Sequence, residues 1–116
     1  MDTTEQFVEA FVGRMPEVLG IYAAHMDDND VLLPHVFMGD VARFVLQTVG
    51  MRTEQDVLRR LFLLIEEGLL ARSTDVANFI AVGFIENLAG EKETVEPLFA
   101  IMGYETRREL HVLCGY

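Results

Sequence analysis

Apolar residues recur along the chain at the spacing of one helical face. The N-terminal segment shows this most simply, because the capping-box pattern Thr3-x-x-Gln6 precedes an apolar stripe of four residues: Phe7, Val8, Phe11 and Val12. Similar stripes follow in later segments, and none shows the two-residue alternation of a half-buried strand. The pattern predicts an all-α fold, a compact bundle of about six to seven antiparallel helices.

Proline, glycine and short polar runs separate the stripes and set the expected boundaries. Two polar runs, Asp27–Asp30 and Glu91–Thr94, are predicted loops, and Thr106-x-x-Glu109 is a second capping-box pattern for the last helix. The predicted helices cover about 3–13, 16–26, 33–50, 53–70, 76–88, 97–102 and the residues from 106 onward.

The central segment 53–90 holds two consecutive amphipathic stripes, Val57–Leu70 and Val76–Leu88, separated by Ser73-Thr74-Asp75. Neither helix can bury its stripe alone, so the two should pack as one unit. The pair resembles one unit of the HEAT-type helical repeats, but no second copy follows at a fixed period. We therefore expect a bundle with a HEAT-like central hairpin, in which the second helix is the centre of the bundle or, alternatively, a docking site for another chain.

Three segments carry a wider resemblance: Asp28-Asn29-Asp30, residues 33–40 and residues 81–88. With them the chain resembles an uncharacterised family of small, acidic, all-helical bacterial proteins. The resemblance implies the fold and a bacterial origin, and it implies no activity.

The chain has 116 residues, which suits one domain spanning 1–116, and its apolar fraction of 51% is ample for a core. No run reaches the roughly 18 apolar residues of a membrane span. The first five residues include no basic or apolar region of a secretory signal. The single cysteine, Cys114, cannot form an internal disulfide, so a cytoplasmic location is expected.

Acidic residues dominate the charge, at 19 against 9 basic residues, for a net charge of −10. The excess is concentrated in residues 1–30, where seven acidic residues face Arg14 alone. Such a chain should repel nucleic acid and anionic membranes, so neither is expected as a partner. It should attract a basic protein surface, and solubility alone is the other explanation of the charge.

The three histidines do not suggest a metal site. His35 and Asp40 lie five residues apart, about 140° around a helix, so they do not share a face. His35 follows Pro34 at the start of a predicted helix, where a surface or capping role is expected. His25 and His111 have no nearby cysteine or histidine partner.

Other chemical patterns are incomplete. Asp28-x-Asp30 resembles the start of a calcium loop but lacks the glycine and terminal glutamate at the required offsets. Cys114 has His111 three residues before it, but a cysteine nucleophile also needs an orienting group and a shielded pocket. We therefore expect no cofactor and no catalytic residue.

Glu66 and Glu67 are adjacent and should point about 100° apart, as a solvated edge with Arg59 or Arg60 in reach.

Gly39 and Gly83 interrupt apolar helices, which favours close helix packing; for Gly83 we expect an aromatic neighbour such as Phe37 or Phe44. A ligand that reaches the backbone there is the alternative.

These observations predict a non-catalytic protein that binds a basic partner protein, of the immunity or antitoxin type. Exposed apolar residues, with Phe7 among them, and the acidic residues around them should form the partner surface. The alternatives are a helical adaptor or regulatory subunit, which could be a homodimer, and then an enzyme or small-ligand binder with an interhelical pocket. The predicted partner-binding residues are Glu9, Phe11, Met15, Tyr22, Asp27, Asp28 and Asp30.

Overall fold

Helices build the fold. The computed structural model describes residues 3–49, 55–71 and 73–115, and no strand occurs among them. The predicted all-α fold is confirmed. In chain order the elements are α1 (Thr4–Arg14), a 3₁₀ turn (Pro16–Val18), α2 (Leu19–Asn29), α3 (Pro34–Thr48), α4 (Gln55–Leu70), α5 (Thr74–Ile80), a π-helical segment (Ala81–Ile85), α6 (Glu86–Leu88), α7 (Lys92–Val95), a second 3₁₀ segment (Glu96–Ile101) and α8 (Tyr104–Cys114).

Local sequence sets several of the helix starts. At α1 the predicted capping box is confirmed: the Gln6 backbone N–H donates to the Thr3 hydroxyl at 3.1 Å, and the Thr3 N–H donates to the Gln6 side chain at 3.3 Å. At α5 the Ser73 hydroxyl accepts from the Val76 N–H at 3.3 Å. The boundaries expected at residues 50 and 53 lie outside the described residues.

Both predicted polar loops are wrong. Helix α2 continues through Asp27, Asp28 and Asn29 and ends at Asp30, which takes a left-handed conformation with φ 64°. The Asp30 N–H donates to the Met26 carbonyl at 2.8 Å. Aspartate tolerates this conformation better than most residues do. A polar run can therefore form the last turn of a helix instead of a loop after it. The run 91–94 likewise contributes most of the short helix α7.

The last helix also begins where its capping box did not predict. Helix α8 starts at Tyr104 with Gly103 as its N-cap, and Thr106 lies inside its first turn. Gly103 has no side chain that could cap the helix. The acceptor for the first N–H groups of α8 therefore comes from another part of the chain.

That cap is Glu66 of α4. One carboxylate oxygen accepts from the Glu105 N–H at 2.8 Å, and the other accepts from the Thr106 N–H at 3.0 Å and the Thr106 hydroxyl at 2.8 Å. A Cβ at Gly103 would lie 2.6 Å from the Glu66 Cγ, so the absence of a side chain there makes room for the carboxylate. The predicted solvated edge is therefore wrong at Glu66, which joins α4 to α8.

The buried apolar side chains form one cluster, to which α1, α3, α4, α5 and α8 contribute, while Ile21 and Tyr22 of α2 are partly buried against it. Phe7, Phe11 and Met15 are at most 1% exposed, so the expectation that they form an exposed partner surface is wrong. The Phe7 ring lies 5.8 Å from the Phe11 ring and 6.0 Å from the Phe79 ring of α5. The apolar stripe of α1 is thus used to cover the core.

The central hairpin brings α4 and α5 into antiparallel contact. The Phe62 and Phe84 rings have centroids 5.9 Å apart, and Gly68 lies against Ile80 nearer the turn. The later residue of α4 therefore contacts the earlier residue of the second segment, as antiparallel packing requires. Gly68 is buried, and a Cβ there would come within 2.7 Å of Phe7 as well as against Ile80. The glycine lets three elements approach at one point.

The π-helical segment packs against α3 and contains Gly83, which is buried. A Cβ at Gly83 would lie 3.4 Å from the Met38 Cβ and 3.5 Å from the His35 Cα. The predicted contact with the third helix is therefore confirmed, and the nearest side chains are those of Met38 and His35 rather than the expected Phe37 or Phe44. Asn87 donates from its side chain to the Gly83 carbonyl at 2.8 Å, which gives that carbonyl a partner in the widened turn.

Candidate functional site

Exposed acidic and apolar residues meet where α2 gives way to α3. We call this region the α2–α3 corner and define it by Asp27, Asp28, Asp30, Val31, Leu33 and Val36. All six are exposed; Val31 is 58% and Val36 49% accessible. The three aspartates form no ion pair with any residue that the structure describes. The corner therefore presents carboxylates and valine or leucine side chains within ten residues of chain.

A buried histidine fixes the shape of the corner. His25 is 2% exposed, and its Nε2 accepts from the Leu33 backbone N–H at 2.9 Å. A backbone N–H only donates, so Nε2 carries no proton in this contact. The Asn29 side chain donates to the His25 carbonyl at 2.8 Å, and the His25 ring meets the Phe37 ring at 6.0 Å. No role is predicted for His25 from the sequence, and in the structure it links α2 to the start of α3.

A surface pocket lies next to the corner. We call it the N-terminal pocket, because the first turns of α1, α3 and α5 line it, together with the end of α5 and the π-helical segment. It has a volume of about 470 Å³. Its lining is Thr3, Thr4, Glu5, His35, Asp75, Asn78, Phe79 and Val82.

The lining of the N-terminal pocket combines acceptors with apolar surface. Glu5 and Asp75 supply two carboxylates from different helices, and no lysine or arginine occurs among the lining residues that the structure describes. The Thr4 hydroxyl donates to Glu5 at 3.2 Å. On the apolar side, the His35 ring stands edge-on to the Phe79 ring at 5.2 Å. His35 is exposed, as its predicted surface role requires.

Corner and pocket are continuous through the first turn of α3. A second cavity of about 280 Å³ is lined by Leu33, Pro34, His35 and Val36, so it shares His35 with the N-terminal pocket and Leu33 and Val36 with the corner. A partner that covered the corner would therefore reach the pocket along α3.

Elsewhere several carboxylates are used within the fold. Glu67 pairs with Arg14 at 2.8 Å, and Glu17 pairs with Arg60 at 2.5 Å. The hydrogen bond from Arg60 holds the pKa of Glu17 below its usual value, and it raises the pKa of Arg60. Arg60 thus pairs with Glu17, and no ion pair joins Arg59 or Arg60 to Glu66 or Glu67 among the residues that the structure describes. Further pairs join Asp40 to Arg43, Glu96 to Lys92 and Glu105 to Arg108.

The predicted partner residues do not lie on one surface. Asp27, Asp28 and Asp30 come together at the end of α2, while Glu9 is exposed on α1. Tyr22 is half-buried, edge-on to Phe37 at 5.8 Å. Phe11 and Met15 lie in the core.

The other candidate residues, Asp40, His111 and Cys114, lie on α3 and α8. Asp40 pairs with Arg43 instead of His35. His111 lies in the last turn of α8, and Cys114 is its last residue. No group of three or more histidine, cysteine, aspartate or glutamate side chains that could hold a metal ion occurs in the described part of the chain.

The geometry defines a small all-helical domain with an acidic, partly apolar corner and an adjoining polar pocket. Residues 8–113 match the family described as domain of unknown function DUF7674, and the chain belongs to that family. No match was found to a curated protein or to a solved structure. None of the helices in the described residues has both the length and the apolar character needed to cross a membrane.

Proposed function

We propose that this chain is a non-catalytic, cytoplasmic protein that binds a basic partner protein through the α2–α3 corner. The best fit is an inhibitor of the immunity or antitoxin type, which covers a cationic surface of its target. The observation that carries the proposal is a set of exposed aspartates, Asp27, Asp28 and Asp30, which form no ion pair within the described part of the chain and are directly followed by exposed Val31 and Leu33.

The two kinds of side chain support different steps of binding. Carboxylates of one sign attract a basic surface from a distance and speed association. Apolar side chains at the centre of a contact gain free energy when water leaves them. The partner surface proposed from the sequence is thereby revised: Val31, Leu33 and Val36 take the place of Phe11 and Met15, which are buried.

A helical adaptor or regulatory subunit would use the same corner and is the second candidate. A homodimer formed by the corner against itself is less favourable, because a two-fold contact would bring the aspartates of one copy towards those of the other. The N-terminal pocket keeps a small-ligand binder as the third candidate.

The test begins with capture of a partner from the native host, followed by association kinetics at low and physiological salt. The triple variant Asp27→Asn/Asp28→Asn/Asp30→Asn should lower the association rate about tenfold at low salt, because it removes the steering charge. Its free energy of unfolding should stay within about 0.5 kcal/mol of the parent value, because the three side chains are exposed.

A matched control carries the same change in charge elsewhere. Glu86, Glu91 and Glu93 are exposed, and Glu86→Gln/Glu91→Gln/Glu93→Gln should leave the association rate much closer to that of the parent. Equal rates for parent and corner variant would make the corner a solubility feature and contradict the proposal. Capture of nothing but further copies of this chain would favour the homodimer instead.

A further inference from the structure

We infer that the N-terminal pocket is a binding site for an arginine side chain, supplied by the basic partner when it covers the adjoining corner. The inference deepens the proposed function and rests on it for the source of the arginine. The binding chemistry itself rests on the pocket alone.

The polar side of the pocket matches a guanidinium group. Glu5 and Asp75 present carboxylates from two helices, and the side chain of Asn78 adds an amide oxygen. An arginine side chain carries five N–H donors in a planar fork, so one group can donate to acceptors on two sides. Among the residues that the structure describes, the lining includes no lysine or arginine that would neutralise the two carboxylates from within.

The apolar side of the pocket matches the rest of the arginine side chain. Phe79 and Val82 lie in the same lining, and Val82 is 52% exposed although Gly83, Phe84 and Ile85 directly after it are buried. Arginine covers apolar surface with its methylene groups while its charged end stays with polar partners. The edge-on contact between His35 and Phe79 holds this wall in place. A volume of about 470 Å³ lies within the range of small-ligand pockets.

A metal ion fits the lining less well. A hard divalent cation takes six or more oxygen ligands or requires a close set of carboxylates. The described residues provide no group of three potential metal-ligating side chains, at this pocket or elsewhere.

Helix stabilisation is the other explanation of the two carboxylates. Glu5 and Asp75 each lie in the first turn of a helix, where a negative charge favours the helix by itself. That role needs neither the cavity between the helices nor a ligand, so a ligand-binding measurement separates the two explanations.

The experiment uses short peptides with blocked ends as probes, followed by nuclear magnetic resonance of the whole chain. Acetyl-Gly-Arg-Gly-amide should shift the Asn78 side-chain amide and the His35 ring signals in a saturable manner. The same peptide with citrulline has nearly the same shape without the charge, and it should bind at least about tenfold more weakly, because charge-assisted hydrogen bonds are about twice as strong as neutral ones.

The variant Glu5→Gln/Asp75→Asn should weaken the arginine peptide at least about tenfold, because both charged acceptors become neutral. Glu91→Gln/Glu93→Gln changes the net charge equally on exposed residues outside the pocket and should retain the affinity. Circular dichroism checks that each variant is folded. If the double variant is not, the single substitutions and the citrulline comparison on the parent chain decide the question.

Equal binding of the citrulline peptide, equal weakening by the control variant, or signal changes that do not saturate would overturn the inference. Binding of acetyl-Gly-Lys-Gly-amide as tight as that of the arginine peptide would overturn the choice of guanidinium. The proposed function fails separately, in the partner kinetics of the aspartate variant, because the peptide titration needs no partner.

Discussion

The junction between α4 and α8 and the α2–α3 corner both carry carboxylates, but the fold uses them differently. At the junction, Glu66 accepts three hydrogen bonds from the first turn of α8. At the corner, Asp27 and Asp28 stand exposed in the last turn of α2, where a negative charge opposes the helix dipole. The junction carboxylate stabilises the fold, whereas the corner carboxylates do not.

This contrast bears on the meaning of the net charge of −10. Part of the acidity is structural, because Glu17, Glu66 and Glu67 have specific partners within the chain. Three other acidic residues, Asp27, Asp28 and Asp30, lie at the C-terminal end of α2, where negative charge does not stabilise the helix. Acidic residues at such a position are better explained by solubility or binding than by folding.

The largest expected effect on stability comes from adding a side chain at Gly68, where α1, α4 and α5 meet. Gly68→Leu should lower the free energy of unfolding by about 3 kcal/mol, because any side chain at Gly68 meets Phe7 and Ile80. Gly20 in α2 is the matched control, since no atom lies within 4 Å of the position of its Cβ. Gly20→Leu should be neutral or stabilise the helix by up to about 1 kcal/mol. Chemical denaturation measures the free energy of unfolding of both variants. Equal losses would contradict the difference in packing between Gly68 and Gly20.

A smaller effect is expected at the junction carboxylate. Glu66→Ala should cost about 1–2 kcal/mol, because the N–H groups of Glu105 and Thr106 lose their partner. Glu66→Gln keeps an acceptor oxygen and should cost less. Asp28→Ala at the corner should change stability by less than about 0.5 kcal/mol. Hydrogen exchange at the two N–H groups offers a local check, and unchanged exchange in Glu66→Ala would contradict the capping role.

The smallest effect concerns the exposed pair of Glu17 and Arg60. Arg60 lowers the pKa of Glu17 by its hydrogen bond, so the ionised pair adds stability above the usual glutamate pKa, and this is lost as the pH falls through the lowered pKa. Arg60→Gln should therefore melt slightly below the parent near neutral pH. The gap should close as the pH falls below about 4.5. A difference in melting temperature that stays constant with pH would show that the ion pair of Glu17 and Arg60 does not cause it.

The periodic segments were predictable from the sequence because each helix is determined mainly by its own residues. The start of α1 follows from Thr3 and Gln6, which bond to each other across three residues. The apolar stripe that follows them includes Phe11 and also indicated a buried face. The expectation that Phe11 is exposed disagreed with this pattern and is wrong.

The start of α8 could not be predicted in this way. Thr106 has a capping sequence of its own, but its hydroxyl bonds to Glu66, 40 residues away. The role of His25 depends in the same manner on Leu33, which reaches it only when the chain turns at Asp30. The N-terminal pocket depends on three helices from separate parts of the sequence. Contacts of this kind have no local pattern, so only the three-dimensional arrangement reveals them.

The cap on α8 constrains how this family can vary. The Glu66 side chain fills the space that a side chain at position 103 would need, since a Cβ at Gly103 would collide with it. We expect the two positions to change together among relatives. A relative with a larger residue at 103 should lack the acid at 66 and start its last helix later, at its own capping box, as the pattern Thr106-x-x-Glu109 already permits.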